Sequence, residues 1–144
     1  MDIKKFTRNT INFGINRFIE LFALSIGLLG LLLLIALFSY SPQDPNFIFP
    51  DNSTIKNLLG YRGSFVSDFF FQSFGIISIL IPISLILSSI NFFFKKNIFQ
   101  IIEIIFYVLL YLLFGSLFFT YFYPTSFDLF INGNGGFVGQ YFNK

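Results

Sequence analysis

The chain has no cysteine and no histidine among its 144 residues, no tryptophan, and only 11% charged residues. Without cysteine there is no disulfide, no thiolate metal site and no thiol nucleophile. Without histidine the commonest metal ligand, general base and axial ligand of a membrane haem are missing. A compact water-soluble domain carries roughly 25% charged residues, so this chain could not clothe such a surface. Disorder is excluded for the opposite reason, since disordered chains are poor in apolar residues and the chain is 55% hydrophobic. A net charge of +2 leaves no broad basic face for nucleic acid.

What is present is apolar and aromatic, with 25 Phe. Phe, Ile, Asn and Lys are the residues favoured by A/T-rich codons, which accounts for the aromatics without a ligand-stacking surface. The fold class expected is an all-α membrane protein. A bilayer core of about 30 Å needs about 20 apolar residues in a helix. The first such run, Leu21–Tyr40, holds 9 Leu, 2 Ile and 2 Phe and no charge. Those residues favour insertion by about 4–8 kcal/mol in total. The second run is about Phe69–Phe94, with Pro82 near its middle, where loss of a backbone donor predicts a kink. The third is about Ile98–Tyr123. A fourth helix is expected from about residue 136, after the turn-forming Asn132-Gly133-Asn134-Gly135-Gly136, and is unfinished at Lys144. The expectation is therefore three complete transmembrane helices and the start of a fourth, in a small bundle.

Residues 1–20 form a basic amphipathic segment. Ile11, Ile15, Phe18 and Phe22 recur at helical spacing, which predicts a helix lying on the inner leaflet before turning into the first span; a mobile basic tail is the alternative. The run is longer than the apolar region of a signal peptide and ends in Ser-Tyr-Ser-Pro, so it reads as an uncleaved span. Lys and Arg in successive flanks are Lys4, Lys5, Arg8 and Arg17, then Lys56 and Arg62, then Lys95 and Lys96, then none over 124–134. That alternation favours a cytoplasmic N-terminus.

Small residues Ala23, Gly27 and Gly30 share a face of the first span and suit close helix packing, within a bundle or between subunits. Ser84 and Ser88, and Ser116 and Thr120, offer the same on later spans. Glu103 is the acid deepest in an apolar run; it lies near the inner boundary, within reach of Lys95 or Lys96, and Glu20 is read in the same interfacial way. Gln72 has no obvious partner. Pro42, Asp44 and Pro45 stop the first helix at the outer interface. In Leu58-Leu59-Gly60-Tyr61-Arg62-Gly63-Ser64 the glycines suit a turn, Ser64 is a plausible N-cap, and Asp68 falls in the first helical turns with an Arg62–Asp68 contact available. Asn57, Gly60 and Gly63 suit a partner-binding loop equally well. No G-x-x-x-x-G-K-[ST] phosphate cradle occurs.

Taken in order, these elements resemble the N-terminal membrane (4TM) region of the FtsK/SpoIIIE DNA translocases. The likeness lies in Ser39-Tyr40-Ser41-Pro42-Gln43-Asp44-Pro45, an S-x-x-P-x-D-P element closing a Leu-rich span. It continues in Asn57, Gly60, Gly63 and Asp68 of an N-x-x-G-x-x-G-A-x-x-A-D pattern, with Ser64 and Ser67 in place of Ala. Phe74-Gly75 and Pro82 follow, and Gly135, Gly136 and Gly139 match a G-G-x-x-G element opening the family's fourth span. The resemblance implies a chain without chemistry of its own and without a catalytic, cofactor or metal site. It would anchor a motor at the septum of the bacterial inner membrane, a multi-pass anchor with its N-terminus in the cytoplasm. It implies a homo-oligomer that meets membrane lipid and other cell-division membrane proteins. DNA, ATP and Mg belong to the motor, absent from these residues, so the chain reads as a fragment or split product. A small transporter or channel subunit would need paired polar or ionisable groups near the midplane, and its spans offer none. A structural accessory subunit of a membrane complex is the other alternative.

Overall fold

The computed structural model describes residues 3–45, 54–96, 99–124 and 132–143, with side chains from Arg8 onward. Most of the described residues are helical, and none of them forms a strand. Helix α1 spans Ile3–Phe38, α2 Gly60–Phe74, α3 Leu80–Lys95, α4 Phe99–Phe122 and α5 Gly136–Phe142, with a 3₁₀ segment, Gly75–Ile79, joining α2 to α3. Three stretches are long and apolar enough to cross a membrane, Arg8–Phe38, Gly60–Lys95 and Phe99–Phe122. The chain is thus an all-α, multi-pass membrane protein.

Helix α1 does not break where the amphipathic segment meets the apolar run. Its 36 residues form one rod, about 54 Å long at 1.5 Å per residue and so much longer than a hydrocarbon core of about 30 Å. Charge marks where the excess begins. Arg17 Nη1 lies 2.5 Å from Glu20 Oε2, and Lys96 Nζ lies 2.6 Å from Glu20 Oε1. This gathers the interfacial acid of α1 and the cation closing α3 at one level. Lys96 ends α3 in a left-handed conformation (φ 52°), its N–H donating to the Phe92 carbonyl at 3.0 Å. Glu103 is exposed, and Lys96 pairs with Glu20 rather than with it. From Glu20 to Phe38 the helix rises about 27 Å, close to one hydrocarbon thickness.

Between those levels α1 packs on α3. Ile19, Ala23 and Phe92 are buried together, with Phe93 and Ile101 against them. Farther along, Gly27 faces Ser89, and Gly30 faces Leu85 and Ile86. Without side chains in the way, the backbones come close enough for Ser89 Oγ to donate to the Ala23 carbonyl at 2.8 Å. In lipid, where apolar burial gives helices little reason to associate, such close approach and interhelical hydrogen bonding supply the attraction. The small face of α1 is thus occupied within the chain.

The second crossing is irregular in the turn before Pro82. Helix α2 begins at Gly60, ahead of the apolar run, and the irregular backbone lies at Gly75–Ile79, upstream of the proline. Pro82 is buried in the first turn of α3. A proline ring collides with the carbonyl four residues earlier in a regular helix, and tightening the preceding turn to 3₁₀ removes that collision while Pro82 itself sits where its missing N–H costs least. On the other side Ser84 and Tyr111 share a hydrogen bond of 3.1 Å, tying α3 to α4.

A β-branched residue at Gly30 would force α1 off α3, because a Cβ there meets Ile86 Cγ1 at 2.9 Å and the Ile86 backbone nitrogen at 3.2 Å. Gly30→Val is expected to cost roughly 1–3 kcal/mol in denaturant unfolding of the micelle-dissolved protein. Gly14→Ala, where nothing lies within 4 Å, is expected to cost nothing.

Candidate functional site: a polar clamp and a glycine node

At the far end of α1 the last-turn carbonyls have no partner within the helix. Asn57 provides one: its Nδ2 donates to the carbonyls of Ala36 (2.9 Å) and Ser39 (3.3 Å) and reaches Ser67 Oγ at 3.4 Å. Its Oδ1 accepts from Leu59 N–H at 3.0 Å, and its carbonyl accepts from Gly60 N–H at 2.9 Å, which opens α2. Asp44 fixes this asparagine from the other side. Oδ2 accepts from the Asn57 N–H at 2.8 Å and Oδ1 from the Lys56 N–H at 2.9 Å. Both residues are 4% exposed, and each oxygen of the carboxylate accepts from a backbone donor. Gly63 makes room, since a Cβ there would stand 2.1 Å from Asn57 Oδ1.

The clamp extends outward. Ser39 Oγ donates to the Ile35 carbonyl and accepts from the Leu58 N–H. Ser64 Oγ donates to the Pro45 carbonyl at 2.8 Å. Tyr40, just beyond the end of α1, donates its hydroxyl to Asp68 Oδ1 at 3.1 Å and lays its ring on Phe71, centroids 4.8 Å apart. Burial, with the Asp68 carboxylate beside it, holds that hydroxyl above the ordinary phenol range, so it remains a protonated donor.

A second node forms where α2 gives way to the 3₁₀ segment. Gly75 has φ +71°, and a Cβ there would lie 1.9 Å from the Asn134 carbonyl oxygen, which accepts from the Ile76 N–H at 2.9 Å. Ser116 Oγ donates to the Phe74 carbonyl at 3.0 Å. Gly135 and Gly139 both abut Thr120 Oγ1 and the Ser116 carbonyl, so α5 starts in contact with α4. Gln72 ties the two nodes together. Its Nε2 reaches Asp68 Oδ1 at 3.4 Å, its Oε1 accepts from the Asn132 N–H at 3.2 Å, and its carbonyl accepts from Asn132 Nδ2.

The residues singled out by motif therefore fall into two groups. Asp44, Pro45, Asn57, Gly60, Gly63 and Asp68 meet in the clamp, while Gly135, Gly136 and Gly139 meet at the node. Pro42 is exposed beside the clamp and Pro82 lies inside α3, apart from both. Three local expectations change. Leu59, not Ser64, precedes the first turn of α2, and Ser64 serves the Pro45 carbonyl instead. Asp68 is taken by Tyr40 and Gln72, and Arg62 makes no ion pair among the described residues. Gln72 has partners after all. The Tyr40–Asp68 and Gln72–Asn132 bonds carried no local motif signal, because the partners lie 28 and 60 positions apart, whereas the Gln72–Asp68 contact joins residues four apart on α2. Among the described residues no group of acidic side chains is placed to hold a metal ion, and the polar atoms of the clamp are consumed in holding helices.

The sequence profile of the 4TM region of DNA translocase FtsK/SpoIIIE matches residues 16–144. A protein of Rickettsia bellii (strain RML369-C) named DNA translocase FtsK is 35% identical over 115 residues, which is 79% of this chain and 15% of that protein. One of the same name from Rickettsia prowazekii (strain Madrid E) is 37% identical over 62 residues, 43% of this chain and 8% of that protein. The chain thus spans a small fraction of the relatives it matches. No solved structure matches it.

Two substitutions separate backbone conformation from space. Gly60 and Gly75 both have left-handed φ (+65° and +71°), but nothing lies within 4 Å of a Cβ at Gly60. Thermal unfolding in detergent is expected to report a cost of about 1–2 kcal/mol for Gly60→Ala and roughly 2–4 kcal/mol for Gly75→Ala. Asp44→Asn, which swaps one of two acceptors for a donor facing an N–H, is expected to cost about 1–3 kcal/mol and to speed proteolysis between α1 and α2.

Proposed function

The chain belongs to the 4TM region of the FtsK/SpoIIIE DNA translocases, and from that premise we propose that it tethers a cytoplasmic ATP-driven DNA motor at the division septum. The motor belongs to sequence outside these residues. The tether helps bring copies of the motor together and meets other division proteins, so that chromosome segregation is coupled to septum closure. Holding the motor on the membrane raises its local concentration over those partners.

The observation that carries this reading is the disposition of polar groups. Those of the clamp, the node and the Arg17–Glu20–Lys96 cluster fasten helices to one another, as do Ser84, Tyr111 and Ser89 between the crossings. Gln72, the polar group a transport pathway would need in the second crossing, is bonded to Asp68 and Asn132. The positive charges support a cytoplasmic N-terminus, which puts the Arg17–Glu20–Lys96 level inside and the clamp outside.

The test is an anchor exchange. In cells whose motor is carried by this chain and tagged with a fluorescent protein, residues 1–144 are replaced by unrelated membrane helices of the same orientation. The expected outcome is a motor spread evenly around the envelope, with the septal band lost. A septal band of unchanged intensity would remove the targeting role and leave simple attachment.

A further inference from the structure

On the α1 side of the clamp the helices splay and leave a groove of about 470 Å³, within the usual range of about 300–1,000 Å³ for a ligand site. Leu29, Leu33 and Ala36 form one wall at helical spacing, and Val66 of α2 and Leu85 of α3 close it. Among the described residues the only charged side chain on it is Arg62, exposed in the first turn of α2 and without an ion pair among those residues. The nearest acids among the described residues are spent, Asp44 on two backbone amides and Asp68 on Tyr40 and Gln72.

Depth gives the groove its meaning. Leu29 lies about 14 Å along α1 from Phe38, or about half a hydrocarbon core. The apolar walls therefore occupy one leaflet, and Arg62 stands at the level of the clamp, where headgroups begin. An acyl chain fits the walls. A guanidinium at the interface prefers a phosphate oxyanion, which it can bind through two parallel N–H donors. We propose that this groove is a binding site for one anionic phospholipid of the leaflet at the C-terminal end of α1, its chain between α1, α2 and α3 and its phosphate on Arg62. Lipid in this position fills the gap between α1 and α2 below the clamp.

Native mass spectrometry of the full chain, released from micelles containing equal phosphatidylglycerol and phosphatidylcholine, tests this. One phosphatidylglycerol is expected to remain bound in preference to phosphatidylcholine. Arg62→Gln is expected to weaken its retention about tenfold, while Arg62→Lys, which keeps the charge, retains most of it. Leu33→Trp, which fills the groove from the wall, is expected to abolish the adduct with the charge intact. Equal retention of both lipids, or unchanged retention in Arg62→Gln and Leu33→Trp, would overturn the proposal. Because the chain has no cysteine, a Val66→Cys protein also reports a competing occupant. Efficient disulfide dimers in lipid would assign the groove to a second copy and overturn the lipid assignment; a monomer supports it.

Discussion

An apolar helix that ends at the edge of a bilayer must satisfy its final carbonyls before water can do so, and this constraint organises the upper half of the molecule. Asn57 meets it for α1. Its amide donates to the Ala36 and Ser39 carbonyls, and its own backbone leads into α2. A lone asparagine amide could rotate away; here Asp44 holds the Asn57 N–H and Gly63 leaves no side chain to push it out. One residue thus ends one helix, begins the next and fixes the distance between them. An unpaired polar group at this depth costs several kcal/mol, which is why so many of the residues around it are committed to hydrogen bonds.

The same economy governs the lower end and the second node. Glu20 accepts from Arg17 and Lys96, so α1 and α3 are matched in register where the apolar stretch stops. Small residues do the corresponding work within the membrane, where Gly27, Gly30 and Ser89 let α1 and α3 touch. At Gly75 and Gly135 the chain goes further and brings backbone against backbone, with Ile76 N–H bonded to the Asn134 carbonyl. The result is an anchor rigid at its polar ends and greasy along its sides. Helix α4 illustrates the second property, with Ile102, Phe106, Leu109 and Phe114 all exposed.

Much of this was legible in the sequence. Twenty-residue apolar runs follow from bilayer thickness alone, and the all-helical class follows from them. The spacing of Pro42, Asp44, Asn57, Gly60 and Gly63 marked the right region. It left open whether those residues make a turn or a partner-binding loop, because nothing local says that Asn57 reaches back to Ala36. Helix starts were less legible. Composition pointed to Ser64 as the cap before the second helix, but the Asn57 carbonyl begins α2 at Gly60. Pro82 pointed to an irregular turn in the second crossing, but not to its extent, which reaches back to Gly75, where a positive φ is tolerated and Asn134 supplies a partner. The Tyr40–Asp68 and Gln72–Asn132 pairs were invisible for the same reason as the Asn57 cap, since pairing across distant segments leaves no mark in a periodicity.

Amide hydrogen exchange of the bilayer-embedded protein, in wild type and Asn57→Ala, tests the role of Asn57 most directly. The account predicts that removing one side chain raises exchange together at the last turn of α1, whose carbonyls its amide caps, and at Leu59, whose N–H its oxygen accepts, because a single group holds both. Increased exchange confined to residues 59–60, with the end of α1 as protected as before, would contradict it.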